Sequence, residues 1–515
     1  MSRPPNVLII LVDQLSARFL PSYGHRVVQA PRVSRLASQS VVFDQAYCAA
    51  PLCGPARMSL YTGRRPSLIE AYDNASELPA AVPTLGHHLR AAGYRTALAG
   101  KLHFVGPDQL HGFEERLTPD IYPAGFDWTP DWTRPLDQRL PWYHDMSSVL
   151  GAGTCETALQ LDFDDEVAFR SVRHLRDMAR SASGDPFCFI VSFTNPHDPW
   201  EVRARHWDLY DPREVALPDV GLIPWESADP HSRRIREMCG VDEADLTPDQ
   251  IRTARHGYYA AVSYVDEKVG ELLDTLDRTG LADDTVVVFL SDHGEMLGER
   301  GLWYKMTFFE PAMHVPLLVR APNRLAAGRV AQPVSTTDLV PTLLDLVGDG
   351  GEPHGGADFG FDGSSLLPLV AGAPREPERP VFGEYLAEGV VAPALMVRRG
   401  RYKYVDCPGD PEQLYDLAGD PRELVNLADS PEHSAALEAC RGELERRYDV
   451  RDLSARVLAS QQQRRTVAAA LSVGRVTEWD HRPAVADRYV GAGVDLYDVQ
   501  RRARLEVGNA VRPIG

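Results

Sequence analysis

Cysteine is scarce and unpatterned. The 515-residue chain has seven, an odd number scattered from Cys48 to Cys440 without a paired Cys-x-x-Cys. Neither a disulfide framework nor a paired-thiolate zinc site is encoded, and a reducing cytoplasm is the expected setting. Long apolar runs are also missing. Residues 7–12 are followed at once by Asp13, too short for a secretory core, and nothing later approaches a membrane span. Positive charge is in deficit: 54 Lys and Arg against 73 Asp and Glu leave a net charge of −19. That excludes a general nucleic-acid or anionic-membrane surface. An acidic protein that acts on an anion needs its cations concentrated in one pocket, so clusters of Lys, Arg and His carry information here.

What is present reads as an α/β chain. Its length suits one large domain plus a smaller one, since single cores stop growing near 250–300 residues. Residues 7–12, 187–193 and 285–290 are continuous apolar runs, the pattern of strands buried on both faces of a parallel sheet. Residues 94–100 form a shorter one. Helices are expected over 84–92, 164–182 and 249–278, the last with Tyr258, Val262, Val265, Val269, Leu272, Leu273 and Leu276 at helical spacing. The expected fold is a large, mostly parallel sheet sandwiched by helices, with a smaller α+β C-terminal subdomain. Residues 211–247 read as an irregular insertion.

Each apolar run ends in groups capable of chemistry. Asp13 and Gln14 follow the first, Lys101 and His103 the short one, His197 the third and Asp292-His293 the fourth, with Lys305 in a loop beyond. A parallel sheet gathers such ends at one edge, and packing does not account for four polar ends together. Residues 53–62 read as a short helix closed by Gly63, with Cys53 at its N-terminal end among unpaired N–H groups. That position stabilises an anionic nucleophile or a bound anion. From 106 to 153 there is no periodicity, yet Trp128, Trp132, Trp142, Tyr143 and His144 occur there. Such a stretch reads as a long ordered loop with a function.

The spacing Cys53-x-Pro55-x-Arg57, followed by Thr62-Gly63, resembles the signature of type I sulfatases of the alkaline phosphatase superfamily. Leu11-Val-Asp-Gln-Leu15, the run from Lys101 to Arg116, Thr194-Asn-Pro-His-Asp-Pro199, Ser291-Asp-His-Gly-Glu295 and Phe382-Gly-Glu-Tyr385 resemble choline sulfatases more closely. The resemblance implies that a formylglycine-generating enzyme oxidises Cys53 to formylglycine. It implies one divalent metal ion on Asp13, Gln14, Asp292 and His293, Ca2+ ahead of Mn2+ or Mg2+; the imidazole, where many sulfatases have Asn, raises the standing of Mn2+. Arg57, Lys101 and Lys305 would neutralise the sulfate oxygens, with Arg57 also orienting the modified residue. His103 would assist the formyl hydrate and His197 protonate the leaving alcohol. One hydroxyl of the hydrate would attack sulfur in line, and the other, losing its proton, would expel sulfate.

For choline-O-sulfate the quaternary ammonium calls for aromatic faces and carboxylates. The resemblance nominates Trp128, His144, Glu384 and, from a tail that reaches a neighbouring subunit of a homo-tetramer or dimer, Asp495 with Tyr497. The tail departs from the family at Val490-Gly-Ala-Gly-Val494, where bulkier polar residues are expected. The expected units are a catalytic domain over 1–378, the subdomain over 379–475, with paired strands near 395–399 and 401–405 and helices near 431–447 and 452–472, and the tail over 476–515. Two alternatives stand beside choline sulfate hydrolysis. One is a hydrolase of another sulfate ester or of phosphonate or phosphate diesters; the other is an inactive sulfatase-fold binding protein.

Overall fold

A computed structural model describes residues 4–135, 138–181, 184–348, 360–372, 379–481 and 495–504. At its centre is an eight-stranded sheet in the order Gly328–Val330, Val41–Phe43, Leu317–Arg320, Thr285–Ser291, Asn6–Val12, Phe187–Phe193, Arg95–Gly100 and Glu115–Arg116. All neighbours pair in parallel except Leu317–Arg320, which is antiparallel to both of its own. The three seven-residue strands, Asn6–Val12, Phe187–Phe193 and Thr285–Ser291, are buried along their whole length. Helices flank the sheet, so strands without a polar face are the ones its centre can hold.

Register decides where the chemistry goes. Val12 lies opposite both Phe193 and Ser291, and Gly100 lies opposite Ser192. The residues that follow, Asp13, Thr194, Asp292 and Lys101, therefore leave the sheet side by side. Gly100 makes the crossing from strand to loop at φ +94°, and a Cβ there would sit 1.8 Å from the Ser192 carbonyl oxygen. Only glycine tolerates both conditions.

Helix Leu159–Arg180 begins five residues earlier than its periodicity indicates, and Pro248–Thr279 matches its expected span. The latter is capped by Thr247, whose side chain accepts from the Gln250 N–H while the Gln250 side chain bonds back to Thr247, and it ends at Gly280 in the left-handed region. The insertion at 211–247 is less irregular than expected, because it holds helix Pro230–Cys239. Its apolar stripe is short, Ile235, Met238 and Cys239, and joins the main core. A cap adds to it, with Asp229 accepting from Ser232, and so does the Arg236–Asp242 ion pair.

Beyond residue 379 a four-stranded sheet runs Val381–Tyr385, Ala394–Arg399, Tyr402–Asp406, Gln413–Asp416, every pair antiparallel. Alternation along one strand buries both faces. Ala394 and Met396 join the main core, whereas Leu395 and Val397 join a second core with Leu437, Cys440 and Leu444 of helix Ser434–Arg447. Helix Val450–Leu471 follows. The expected boundary at 378 and the residues 490–494 of the altered tail lie outside the described residues. Among the described residues, no helix is long and apolar enough to cross a membrane.

Gly100→Ala should destabilise the protein by about 2–4 kcal/mol, because the added methyl meets backbone that cannot yield. Urea unfolding followed by tryptophan fluorescence measures it.

Candidate active site

The four strand ends meet beneath the helix Cys53–Thr62, which starts at Cys53 and is closed by Gly63 at φ 67°. The Cys53 sulfur lies 3.8 Å from Asp13 Oδ1 and 3.1 Å from His293 Nε2. Ligand atoms of Asp13, Cys53, Asp292 and His293 all fall within 4.8 Å of one another, and every one of these residues is buried. His293 Nδ1 is 3.0 Å from the Gly294 carbonyl oxygen. A carbonyl can only accept, so the proton sits on Nδ1 and Nε2 turns a lone pair toward the cluster. Two carboxylates and an oriented imidazole fit a divalent cation. Gln14 joins differently: its N–H donates to Asp292 Oδ1 at 3.0 Å, while its carboxamide bonds Lys305, Glu295 and Asp198.

Arg57 is fully buried and fully committed. Its Nε donates to Asp292 Oδ2 (2.7 Å), Nη2 to Asp13 Oδ2 (3.2 Å), and Nη1 to Ser192 Oγ (2.8 Å) and the Lys101 carbonyl (2.5 Å). It does not line the cavity described below. Four of its hydrogen bonds go to the strand ends. Lys101 ion-pairs with Asp13 and stands 4.1 Å above the Tyr122 ring. Of the three expected sulfate-binding cations, Lys305 is the one on the cavity wall.

Charges at residue 53 favour an anion. Burial alone would push the Cys53 thiol up, but Lys101, Lys305 and His293 outweigh it and hold it well below its usual range. Lys305 donates to Gln14 Oε1 at 2.6 Å and stands 2.7 Å from His197 Nε2 and 3.2 Å from His144 Nε2. His197 Nδ1 faces the Asp198 carbonyl at 2.6 Å, so its Nε2 is the nitrogen free to exchange a proton inside the site. Burial raises Asp198, yet His197, His144 and Lys305 overcome it and hold its carboxyl at about 2. Burial and the neighbouring Lys305 drive His144 down to about 3, which keeps that ring neutral.

A cavity of about 720 Å³ opens from Cys53, His197 and Lys305. Tyr122, Phe126, Trp128, Trp142 and Tyr497 supply aromatic wall, and Asp127, Asp131, Asp198, Glu388 and Asp495 supply carboxylates. The tail closes it within the same chain. Helix Leu496–Ala503 contributes Asp495, Leu496, Tyr497 and Gln500 to the wall, and Arg504 holds it down through Gly151 and Glu201. Asp495 itself caps that helix, accepting from Tyr497 N at 2.9 Å and Asp498 N at 3.3 Å.

Glu384 is not in the cavity. It accepts from Ser67 N (2.7 Å) and Ser67 Oγ (2.9 Å) and lies 3.7 Å from Arg65 Nε. Its strand turns that face toward the Ser67 segment, away from residue 53. Glu388, in the turn after the strand, takes the place expected of Glu384. It is 2 % exposed, lines the cavity, and its Oε2 has no hydrogen-bond partner among the described residues. Burial raises its carboxyl to about 7, with Asp73 adding to the effect. Tyr122 and Asp198 were missed as well, although both sit in stretches with a visible signal, the aromatic loop and the Thr194–Pro199 motif.

Residues 5–349 match the family described as Sulfatase, and residues 298–449 match the C-terminal family of N-sulphoglucosamine sulphohydrolase. The chain belongs to the sulfatase family and is a sulfuric ester hydrolase. More particularly, residues 455–505 match the family described as Choline sulfatase enzyme C terminal. The chain is 46% identical to the choline-sulfatase of Rhizobium meliloti (strain 1021) over 512 residues, 98% of this chain and 99% of that one. Human iduronate 2-sulfatase is 30% identical over 442 residues, 79% of this chain and 77% of its own. Among solved structures, the phosphonate monoester hydrolase of Silicibacter pomeroyi superposes with a TM-score of 0.67 at 25% identity, covering 94% of this chain and all of that one.

Arg57→Met should cost about 3–5 kcal/mol of folding stability, since it leaves Asp13 and Asp292 as like charges without their shared counter-ion. Chemical denaturation of the metal-free enzyme reads it directly.

Proposed function

We propose that this enzyme hydrolyses choline-O-sulfate to choline and sulfate. The observation that carries the reading is the junction of two unlike chemistries in one cavity: a cationic, buried floor at Cys53 and Lys305, and an aromatic wall edged with carboxylates. A sulfate ester needs the first. A quaternary ammonium, which donates no hydrogen bond, is held by the second. Trp128, which stacks edge-on to Tyr122 at 5.2 Å, offers a fixed aromatic face, and Glu388 offers an unpartnered carboxylate oxygen. The likeness to the R. meliloti choline-sulfatase supports the same substrate.

Asp13, Asp292 and His293, with Gln14 beside them, would hold one divalent ion, Ca2+ first among candidates. That ion would grip a sulfate oxygen and lower the pKa of the attacking hydroxyl. Converted to formylglycine by a maturing enzyme, residue 53 would supply that hydroxyl from its hydrate. The chain's own groups do the rest. Lys305 neutralises the sulfate oxygens at the floor, Arg57 holds Asp13 and Asp292 in place, and His197 gives its Nε2 proton to the leaving alcohol. His103 takes a proton from residue 53. His144, kept neutral, adds a face to the wall without repelling the ammonium. The same reading includes the division into units at 378 and 475, a homo-oligomer on the likeness to choline sulfatases, and a cytoplasmic setting supported by seven buried cysteines that form no disulfide among the described residues.

The testing experiment pairs peptide mass spectrometry across residue 53 with turnover of choline sulfate by the same preparation. Formylglycine with turnover is expected. Formylglycine with turnover of other esters but not of choline sulfate overturns the substrate. Glu388 supplies a pH test. Its carboxyl, raised to about 7, is charged above that pH, so KM for choline sulfate should fall as pH rises from 6 to 8. Glu388→Gln should flatten that slope and raise KM at pH 8 by about tenfold, or ~1.4 kcal/mol, with kcat nearly unchanged.

A further inference from the structure

Helix Val450–Leu471 reaches toward the chemistry through one side chain that never enters the cavity. Arg464, 7 % exposed, donates from Nη1 and Nη2 to the two oxygens of Asp73 at 2.6 Å each, and Nη1 also lies 3.4 Å from Thr129 Oγ1, next to Trp128. Asp73 is wholly buried, and its Oδ1 gathers the Ala75 N–H (2.9 Å) and the Ser76 hydroxyl (3.3 Å), folding its own segment into a turn. Asn74 then faces the other way. Its Oδ1 accepts the Gly54 N–H at 2.9 Å, in the first turn of the helix that begins with Cys53. Its carbonyl is 3.0 Å from His103 Nε2.

That last contact fixes a tautomer. Since the Asn74 carbonyl only accepts, His103 carries its proton on Nε2 and bares a lone pair at Nδ1. Among the described residues His103 Nδ1 has no hydrogen-bond partner, which leaves it the ring nitrogen open to a proton. His103 also stands at φ 61°, a backbone conformation held by two N–H bonds from Leu102 and His103 to Asp120 at 2.9 Å each. A ring on so constrained a backbone is aimed by whatever holds its far nitrogen.

We propose that Arg464 is a positioning residue for sulfate ester hydrolysis. Through Asp73 and Asn74 it fixes the tautomer and aim of His103 and the first turn of the nucleophile helix. The proposal rests on the reading that His103 takes a proton from residue 53; it does not depend on choline as the alcohol. A bidentate guanidinium suits the task because it sets an angle as well as a distance. The C-terminal segment thereby becomes part of the proton-transfer apparatus as well as a wall.

The test is a double-mutant cycle on the full-length enzyme with 4-nitrophenyl sulfate, which probes the sulfur chemistry without the choline reading. Arg464→Gln should lower kcat by about tenfold and leave KM within about twofold. In a His103→Ala background the same substitution should cost clearly less than its tenfold in the wild type, because the larger of its two targets is gone and the Asn74–Gly54 contact alone remains. Millimolar guanidinium should restore part of the kcat of Arg464→Ala. Losses that simply add in the double variant overturn the proposal, as does an Arg464→Gln enzyme that unfolds more easily yet keeps its kcat. Should Arg464→Gln fail to fold, Arg464→Lys, which keeps the charge and loses the fork, goes through the same cycle. A His103→Ala enzyme as fast as wild type removes the role of His103, and the proposal with it.

Discussion

A guanidinium without access to water holds the ends of four strands. Arg57 bonds Asp13 off the first strand, Asp292 off the Thr285–Ser291 strand, Ser192 within Phe187–Phe193, and the carbonyl of Lys101 after Arg95–Gly100. Burial disfavours its charge, but Asp292 and Asp13 more than restore it and raise its pKa above the usual value. Sheet register alone would bring these ends together; the guanidinium sets their angles. Because Arg57 rides on the same helix as Cys53, the nucleophile's distance from the two carboxylates follows from one side chain. The rest of the site inherits that geometry.

Around this anchor the protein sorts charge by depth. The chain is acidic overall, with a net charge of −19, yet Arg57, Lys101 and Lys305 all lie buried beside residue 53. Fixed cations in a poorly solvated floor act more strongly on an anion than the same charges at a surface. Further out, carboxylates predominate: Asp127, Asp131, Glu388 and Asp495 stand on the wall, with Arg134 and Arg465 paired to Asp131. A molecule with an anionic end and a cationic end has one orientation in such a field, and it is the orientation that places the ester over residue 53.

Much of this was legible from residue order. Three apolar runs without alternation announced strands buried on both faces, and the polar groups at their ends announced the edge where a ligand binds. The Gly63 stop and the Cys-x-Pro-x-Arg spacing marked the nucleophile helix. What was not legible depended on contacts distant in sequence. Glu384 and Glu388 are four residues apart, and their separate fates follow from strand parity and the turn after Tyr385, which no local pattern displays. The helix Pro230–Cys239 hid because its apolar stripe is only Ile235, Met238 and Cys239, at one end of an otherwise polar stretch. The spacing placed Arg57 on the nucleophile helix but could not show the two carboxylates it bonds, which lie 44 and 235 residues away. That Leu496–Ala503 covers its own chain's cavity was likewise invisible in a tail read by likeness.

The wall built by helix Leu496–Ala503 has a consequence for how the molecule comes into being. Synthesis runs from the N-terminus, and the segments that form the floor, from Asp13 to Lys305, emerge long before this helix does. Folding of the central sheet can therefore run to completion around an open bowl. In the order of manufacture the bowl precedes its cover: the strand ends around residue 53 come together first, and the wall from Asp495 to Gln500 is laid over them last.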